Sequence, residues 1–280
     1  MTQEFDKLPP LREIIAEHDL AAQKKLGQNF LLDLNLTARI ARTAGDLSDT
    51  TVIEVGPGPG GLTRAILAAG AKKVVAVERD PRCIEALNAY LRPAYPDRLE
   101  IIDGDALKQN FEALAPAPRR IMSNLPYNIA TPLLIGWLQQ ASAYTGFTLM
   151  FQKEVADRLA AKPRTKAYGR LSIMSQWLCE VRVEFNVDAR AFTPPPKVQS
   201  TVVTLTPRPT PLAPASWKAM ETVTAAAFGQ RRKMLRQSLK SVGINPSDAG
   251  LVETARAEEL SVEDFAKLAR LWEGRSNPNA

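Results

Sequence analysis

Thr51-Val52-Ile53-Glu54-Val55-Gly56-Pro57-Gly58-Pro59-Gly60-Gly61 decides how the chain is read. Its first five residues are rich in β-branched side chains, which favour a short strand. The six that follow hold only glycine and proline, so the ladder stops and the backbone must turn. Leu62, Ile66 and Leu67 then recur at helical spacing. Strand, glycine loop and helix in that order present unpaired N–H groups to a ligand, and the glycines let its atoms approach the backbone closely.

Working outward, Val74–Glu78 is a second strand about twenty residues on, followed by a helix from Pro81 to Leu91. Leu99–Asp103, Arg120–Asn124 and Gly146–Phe151 supply three more strands, alternating with helical segments. That alternation predicts a parallel, doubly wound α/β sheet of Rossmann-like type. Before it lie an amphipathic lead-in over residues 1–23 and a basic turn at Lys24-Lys25. A helix follows with Leu36, Ile40 and Ala44 on one face and Gly45 as its stop. Beyond Gln152 come a helix, a basic loop over residues 162–166, and a helix at Leu171–Trp177. Val181–Val187 and Val198–Leu205 read as two antiparallel strands. Pro207, Pro209, Pro211 and Pro214 read as a stiff linker. Past the linker only helices are predicted, over residues 216–228, 230–242 and from Ser261, whose Ser-x-x-Asp start resembles a capping box. The domains are therefore expected at residues 1–206 and 216–280, with 207–215 between them and a small all-α C-terminal domain.

Composition narrows the chemistry. No apolar run among the 280 residues approaches the roughly 18 that a membrane span needs, and the polar N-terminus does not resemble a signal peptide. Cys83 and Cys179 are isolated and fit no metal-ligand spacing, so a cytoplasmic protein without metal or disulfide is expected. The only histidine, His18, lies in a polar stretch, which disfavours hydrolysis through a histidine base and suggests a solvated or capping role. Charge is uneven. Residues 153–240 hold 16 Lys and Arg against 6 Asp and Glu, while the chain before them is close to neutral. Such a block suits a polyanionic partner, most simply nucleic acid.

Three carboxylates fall near successive strand ends. Glu78 closes the second strand, where a carboxylate suits a ribose with both hydroxyls free. Glu54 sits just before the glycine loop, where it would repel a pyrophosphate and favour a cationic, amine-bearing ligand. Asp105 follows the third strand and is placed for an adenine amino group. A methionine sulfonium therefore fits better than NAD, and the sheet is read as that of an S-adenosylmethionine-dependent methyltransferase. After the fourth strand, Asn124-Leu125-Pro126-Tyr127 offers an amide that can pair with a flat amine-bearing ring and an aromatic face for stacking. On its own the tetrapeptide reads first as an ordinary turn with a capping Asn and a core Tyr.

Glu54-Val-Gly-Pro-Gly-Pro-Gly, Asn124-Leu-Pro-Tyr, Phe151-Gln-Lys-Glu-Val-Ala-Asp-Arg, Ala167-Tyr-Gly-Arg-Leu-Ser, Phe192-Thr-Pro-Pro-Pro-Lys-Val and Phe228-Gly-Gln-Arg-Arg-Lys, in this order, resemble the rRNA adenine dimethyltransferase family. Pro59 departs from the usual pattern, stiffening the loop and removing one N–H. The resemblance implies transfer of methyl groups from S-adenosylmethionine to N6 of two adjacent adenines in the 3′-terminal stem-loop of 16S rRNA, late in small-subunit assembly. It implies that Asn29, Leu31, Gly56, Glu78, Asp105 and Asn124 hold the cofactor. Asn124 and the Leu125 carbonyl would accept the target N6 hydrogens, and Tyr127 and Phe192 would stack on the extruded base. RNA contacts are expected from Lys162, Arg164, Lys166 and Arg170, and from Arg231, Arg232, Lys233 and Arg236 on a helix; the protein is expected to be a monomer. The alternatives are a large-subunit rRNA methyltransferase of the antibiotic-resistance type, or a non-catalytic assembly factor on the same fold.

Overall fold

The apolar runs become strands close to where their composition puts them. A computed structural model of the chain describes residues 8–23, 26–230 and 232–276. Nine strands are formed among these: β1 (Phe30–Leu31), β2 (Thr51–Val55), β3 (Lys73–Glu78), β4 (Leu99–Asp103), β5 (Arg119–Asn124), β6 (Gly146–Gln152), β7 (Cys179–Val187), β8 (Phe192–Thr193) and β9 (Ser200–Pro207). The main sheet runs β4-β3-β2-β5-β6-β9-β7. The chain steps outward from β2 to β4, then returns across β2 to lay down β5 and β6. β2 and β5 therefore flank the point where the winding reverses, and the crevice beyond their carboxyl ends is the usual ligand position in such sheets.

Register brings the candidate residues to that edge. β2, β3, β4, β5 and β6 are parallel, with Val55 opposite Val77, Glu78 opposite Asp103 and Asn124 opposite Met150. β9 then pairs antiparallel with β6, Phe151 against Thr201. The strands carry their apolar side chains into a core that includes Val52, Ile66, Leu67, Val74, Leu87, Met122 and Val202. β2 is buried along its whole length, which explains a continuous apolar run rather than an alternating one.

The chain divides into two compact units, Met1–Lys153 with Arg182–Thr206, and Glu154–Val181 with Pro207–Ala280. The first ends where the linker was expected, but residues 154–181 group with the C-terminal helices rather than with the sheet domain. Helix Arg170–Leu178 explains why: Trp177, Met174 and Ile173 are buried with Met220, Leu239 and Phe265 in one core. The proline-rich stretch is likewise no free spacer, since the Ala213 carbonyl accepts from Trp177 Nε1 at 2.7 Å and the Pro214 carbonyl from Arg270 Nη1 at 2.7 Å.

One local expectation changes. The continuous helix over residues 230–242 is replaced by a short helix Leu235–Ser238 and a 3-10 turn Leu239–Val242, because Met234 makes a β-bridge to Arg256 instead. Met234 is consequently exposed while Leu235 and Leu239 are buried. His18 follows helix Leu11–Glu17 and packs edge-on against Tyr90, with ring centroids 5.7 Å apart. Lys24, Lys25 and Arg231 lie outside the described residues. The Ser261 cap does form, its hydroxyl accepting from Asp264 N at 3.1 Å while Asp264 Oδ2 accepts from Ser261 N at 3.3 Å.

Candidate active site

A pocket opens at the carboxyl edge of the sheet, lined by residues from β1, the glycine loop, the ends of β3 and β4, and the Asn124–Ile129 segment. Its roof is residues 26–31, lying directly on the glycine loop. A Cβ on Gly58 would meet the Phe30 ring at 2.9 Å, and one on Gly61 would meet the Leu31 carbonyl at 2.4 Å. Gly56 and Gly58 also hold φ of +65° and +55°, the left-handed region that glycine reaches without strain. The loop is thus glycine-rich for two reasons, its turn geometry and the cover pressed on it.

The three acidic residues differ in their surroundings. Glu78 is buried and accepts from Gly58 N at 3.1 Å, Arg79 N at 2.8 Å and Asp80 N at 2.9 Å. Burial pushes its carboxyl upward, and those backbone bonds oppose the shift. Glu54 is 1% exposed, and its Oε2 has no hydrogen-bond partner. Burial raises its pKa to about 8, with the nearby Thr63 hydroxyl opposing and Glu78 adding to the rise. Thr63 Oγ1 is itself unbonded, so desolvation decides the state of Glu54. Asp105 caps the turn Ala106–Lys108 through Leu107 N at 3.1 Å, and its other oxygen lies 3.7 Å from Arg79 Nη1.

Opposite the carboxylates, Asn124 ends β5 and Pro126 precedes helix Tyr127–Gln139. Asn124 Nδ2 donates to the Asn29 carbonyl at 3.0 Å, which leaves its Oδ1 as the group free to accept from a ligand. Tyr127 Oη lies 2.5 Å from Ser200 Oγ, anchoring the ring at the pocket wall. Burial raises the Tyr127 phenol, and the Ser200 contact partly offsets it. Asn29, Leu31, Gly56, Glu78, Asp105, Asn124, Leu125 and Tyr127 all line this one pocket.

Phe192 does not. It is 3% exposed, pairs with Leu31 across the β1–β8 ribbon and belongs to the main apolar core, so its ring is not on the pocket wall. Phe192, expected to stack on a base, therefore stands in the core beside the pocket, held by the apolar neighbours around it. The basic candidates Lys162, Arg164, Lys166, Arg170, Arg232, Lys233 and Arg236 all belong to the second unit and are exposed. Arg232 and Lys233 stand on a turn, not on a helix. Among the described residues no group of three metal-ligating side chains occurs, and no helix is long and apolar enough to cross a membrane. Cys83 and Cys179 are buried free thiols, each pushed up by burial, Cys179 to about 12.

Sequence reading alone did not single out Gln28, which lines the pocket, or Asp80 and Ser200, which hold residues that do. Asp80 carried a usable signal, standing just before Pro81 as a helix cap.

The chain is similar to known proteins over most of its length. Residues 20–273 match the family model described as ribosomal RNA adenine dimethylase. The chain is 64% identical over 268 residues to the ribosomal RNA small subunit methyltransferase A of Rhodospirillum rubrum, covering 95% of this chain and 93% of that one. It is 61% identical to the protein of the same name from Paramagnetospirillum magneticum, over 96% of each. Among solved structures, a dimethyladenosine transferase from Plasmodium falciparum matches at 27% identity and TM-score 0.72, over 88% of this chain and 97% of that one. The 23S rRNA methyltransferase ErmE matches at 30% identity and TM-score 0.66, over 88% and 100%.

Proposed function

The chain belongs to the ribosomal RNA adenine dimethylase family, and on that premise we propose that it dimethylates N6 of two adjacent adenines in the 3′-terminal stem-loop of 16S rRNA. The methyl donor is S-adenosylmethionine, and the partner is the small ribosomal subunit or its precursor, met in the cytoplasm by a monomer. The observation that carries this reading is the Asn124 amide on the pocket wall, whose Nδ2 is taken by the Asn29 carbonyl so that Oδ1 is left to accept.

The pocket fits the cofactor on its own chemistry. A buried carboxylate without a partner suits the methionine ammonium, and that carboxylate is Glu54. Glu78, already a three-fold acceptor, suits ribose hydroxyls, and Asp105 suits the adenine amine. Leu31 and Asn29 close over the methionine end, and Gly56 gives the backbone room there. When bound, the cofactor supplies an electrophilic methyl group on a sulfonium.

The chain's own residues do the rest. An adenine N6 lone pair is delocalised into its ring and is a poor nucleophile. Accepting its hydrogens at Asn124 Oδ1 and the Leu125 carbonyl draws the nitrogen toward tetrahedral geometry and aims the lone pair. Tyr127, braced by Ser200, stacks on the base, a contact of about 1–3 kcal/mol. Alignment of donor and acceptor in such a site is worth up to roughly 7–11 kcal/mol. No histidine base is required, because the product ammonium sheds its proton readily. The exposed basic residues of the second unit suit RNA phosphates, contacts that weaken with added salt.

Purified protein with labelled S-adenosylmethionine is expected to mark small subunits from an under-methylated strain, with dimethyladenosine in the digested RNA. Its absence there, or label in large subunits instead, would reverse the assignment.

A further inference from the structure

The cover over the pocket is held from behind by one side chain. Asp80 follows Glu78 by two residues and is 1% exposed. Its Oδ2 accepts from Gln28 Nε2 at 2.9 Å, one residue before Asn29 of the cover. The same carboxylate accepts from Arg82, through Nε to Oδ1 at 3.1 Å and Nη2 to Oδ2 at 2.8 Å. Arg82 reaches further back, donating through Nη1 to the Asp19 carbonyl at 2.7 Å and through Nη2 to the Ala21 carbonyl at 3.3 Å. Asp80 N meanwhile donates to Glu78 Oε1 at 2.9 Å. Gln28 Oε1 completes the ring by accepting from Gln23 N at 2.9 Å.

We propose that Arg82 is a positioning residue for cofactor binding, holding the Gln28–Leu31 cover and the Glu78 carboxylate in one frame through Asp80. The inference rests on the reading of this pocket as the S-adenosylmethionine site. Every link but the neutral one from Gln23 N to Gln28 is a bidentate or charge-assisted bond, the kind that fixes geometry as well as energy. Burial alone would raise the Asp80 carboxyl, and the Arg82 and Gln28 bonds more than reverse that, so the group stays an anion able to hold both. Arg82 touches no pocket surface itself. Its loss frees Asp19, Ala21 and, through Asp80, Gln28 from the start of helix Pro81–Ala86 without removing any lining side chain.

The test compares wild type, Arg82→Ala and Arg82→Lys by calorimetry with S-adenosylhomocysteine and by steady-state methylation of under-methylated small subunits. Arg82→Ala is expected to raise Kd and the cofactor KM about tenfold, with kcat at saturating cofactor and the KM for subunits nearly unchanged. Arg82→Lys is expected to recover part of that loss, since one donor still reaches Asp80. Hydrogen exchange of the residue 26–31 amides with ligand bound should be faster in Arg82→Ala than in wild type. Gln28→Ala should weaken binding on its own but add less than its full effect to Arg82→Ala. Unchanged Kd in Arg82→Ala, or equal loss in kcat and both KM values, overturns the proposal. If wild type itself fails to bind S-adenosylhomocysteine, the reading of the pocket fails instead.

Discussion

Asn124 and Asn29 are 95 residues apart in the chain, yet the side-chain amide of the first donates to the carbonyl of the second at 3.0 Å. The bond joins the end of β5 to the cover and settles which amide atom is left for a substrate. Asn124→Ala removes the acceptor and the tie together. Methyl transfer at saturating cofactor is expected to fall by about 10²–10³, the scale seen when one polar group aimed at the reacting centre is lost. Binding of S-adenosylhomocysteine should weaken far less. Transfer within a few-fold of wild type in a labelled-subunit assay would remove Asn124 from the chemistry.

Two helical glycines, Gly61 at the first position of its helix and Gly136 in the interior of another, should behave oppositely. A Cβ on Gly61 meets the Leu31 backbone carbonyl at 2.4 Å and Leu11 Cδ1 at 3.2 Å, and a backbone atom cannot rotate away. Gly61→Ala is expected to cost about 1–3 kcal/mol and to lift the cover, weakening cofactor binding as well. Gly136, inside helix Tyr127–Gln139, has nothing within 4 Å of its Cβ position. Gly136→Ala is expected to stabilise the protein by about 0.5–1 kcal/mol. Urea midpoints of the two variants measured side by side check both signs.

Glu54 makes stability depend on pH in an unusual direction. Burial lifts its folded pKa to about 8 from an ordinary value of 4.5. The folded protein keeps a proton that the unfolded chain releases, so the contribution is full below about pH 4.5, declines as pH rises and levels off above about pH 8. Glu54→Gln should therefore be more stable than wild type near neutral pH, by on the order of 3 kcal/mol, and lose that advantage below the ordinary carboxylate range. A bound ammonium draws the proton off. Calorimetry with S-adenosylhomocysteine in buffers of different ionisation enthalpy should show proton release for wild type and none for Glu54→Gln. A stability difference that is flat with pH would contradict this state of Glu54.

Strands β2 to β6 and the glycine loop are legible in the sequence because each signal is local. A β-branched run, a cluster of glycines or an acid before a proline acts on its own neighbours. Glu78, Asp105 and Asn124 are legible for the same reason, each standing at or just past a strand end, whereas Asn29 and Leu31 are reached only through the family resemblance. Phe192 is not legible, because whether an aromatic ring faces a base or a core depends on partners such as Leu31 and Val202 that lie far off in the chain. Residues 154–181 read as a continuation of the sheet domain because their helices carry no mark of the core that Trp177 joins. The basic run before Leu235 has helical composition, and only the distant bridge from Met234 to Arg256 diverts it.

The β1–β8 ribbon has a mechanical consequence. Phe30 lies opposite Thr193 and Leu31 opposite Phe192, so the lid over the donor and the segment leading into Pro194 share backbone hydrogen bonds. Phe30 also rests against Gly58. Any displacement of Phe30–Leu31 carries Phe192–Thr193 along with it for as long as those bonds hold. The cover of the pocket and the segment leading into Pro194 are therefore one mechanical unit, although 161 residues separate Leu31 from Phe192 in the chain.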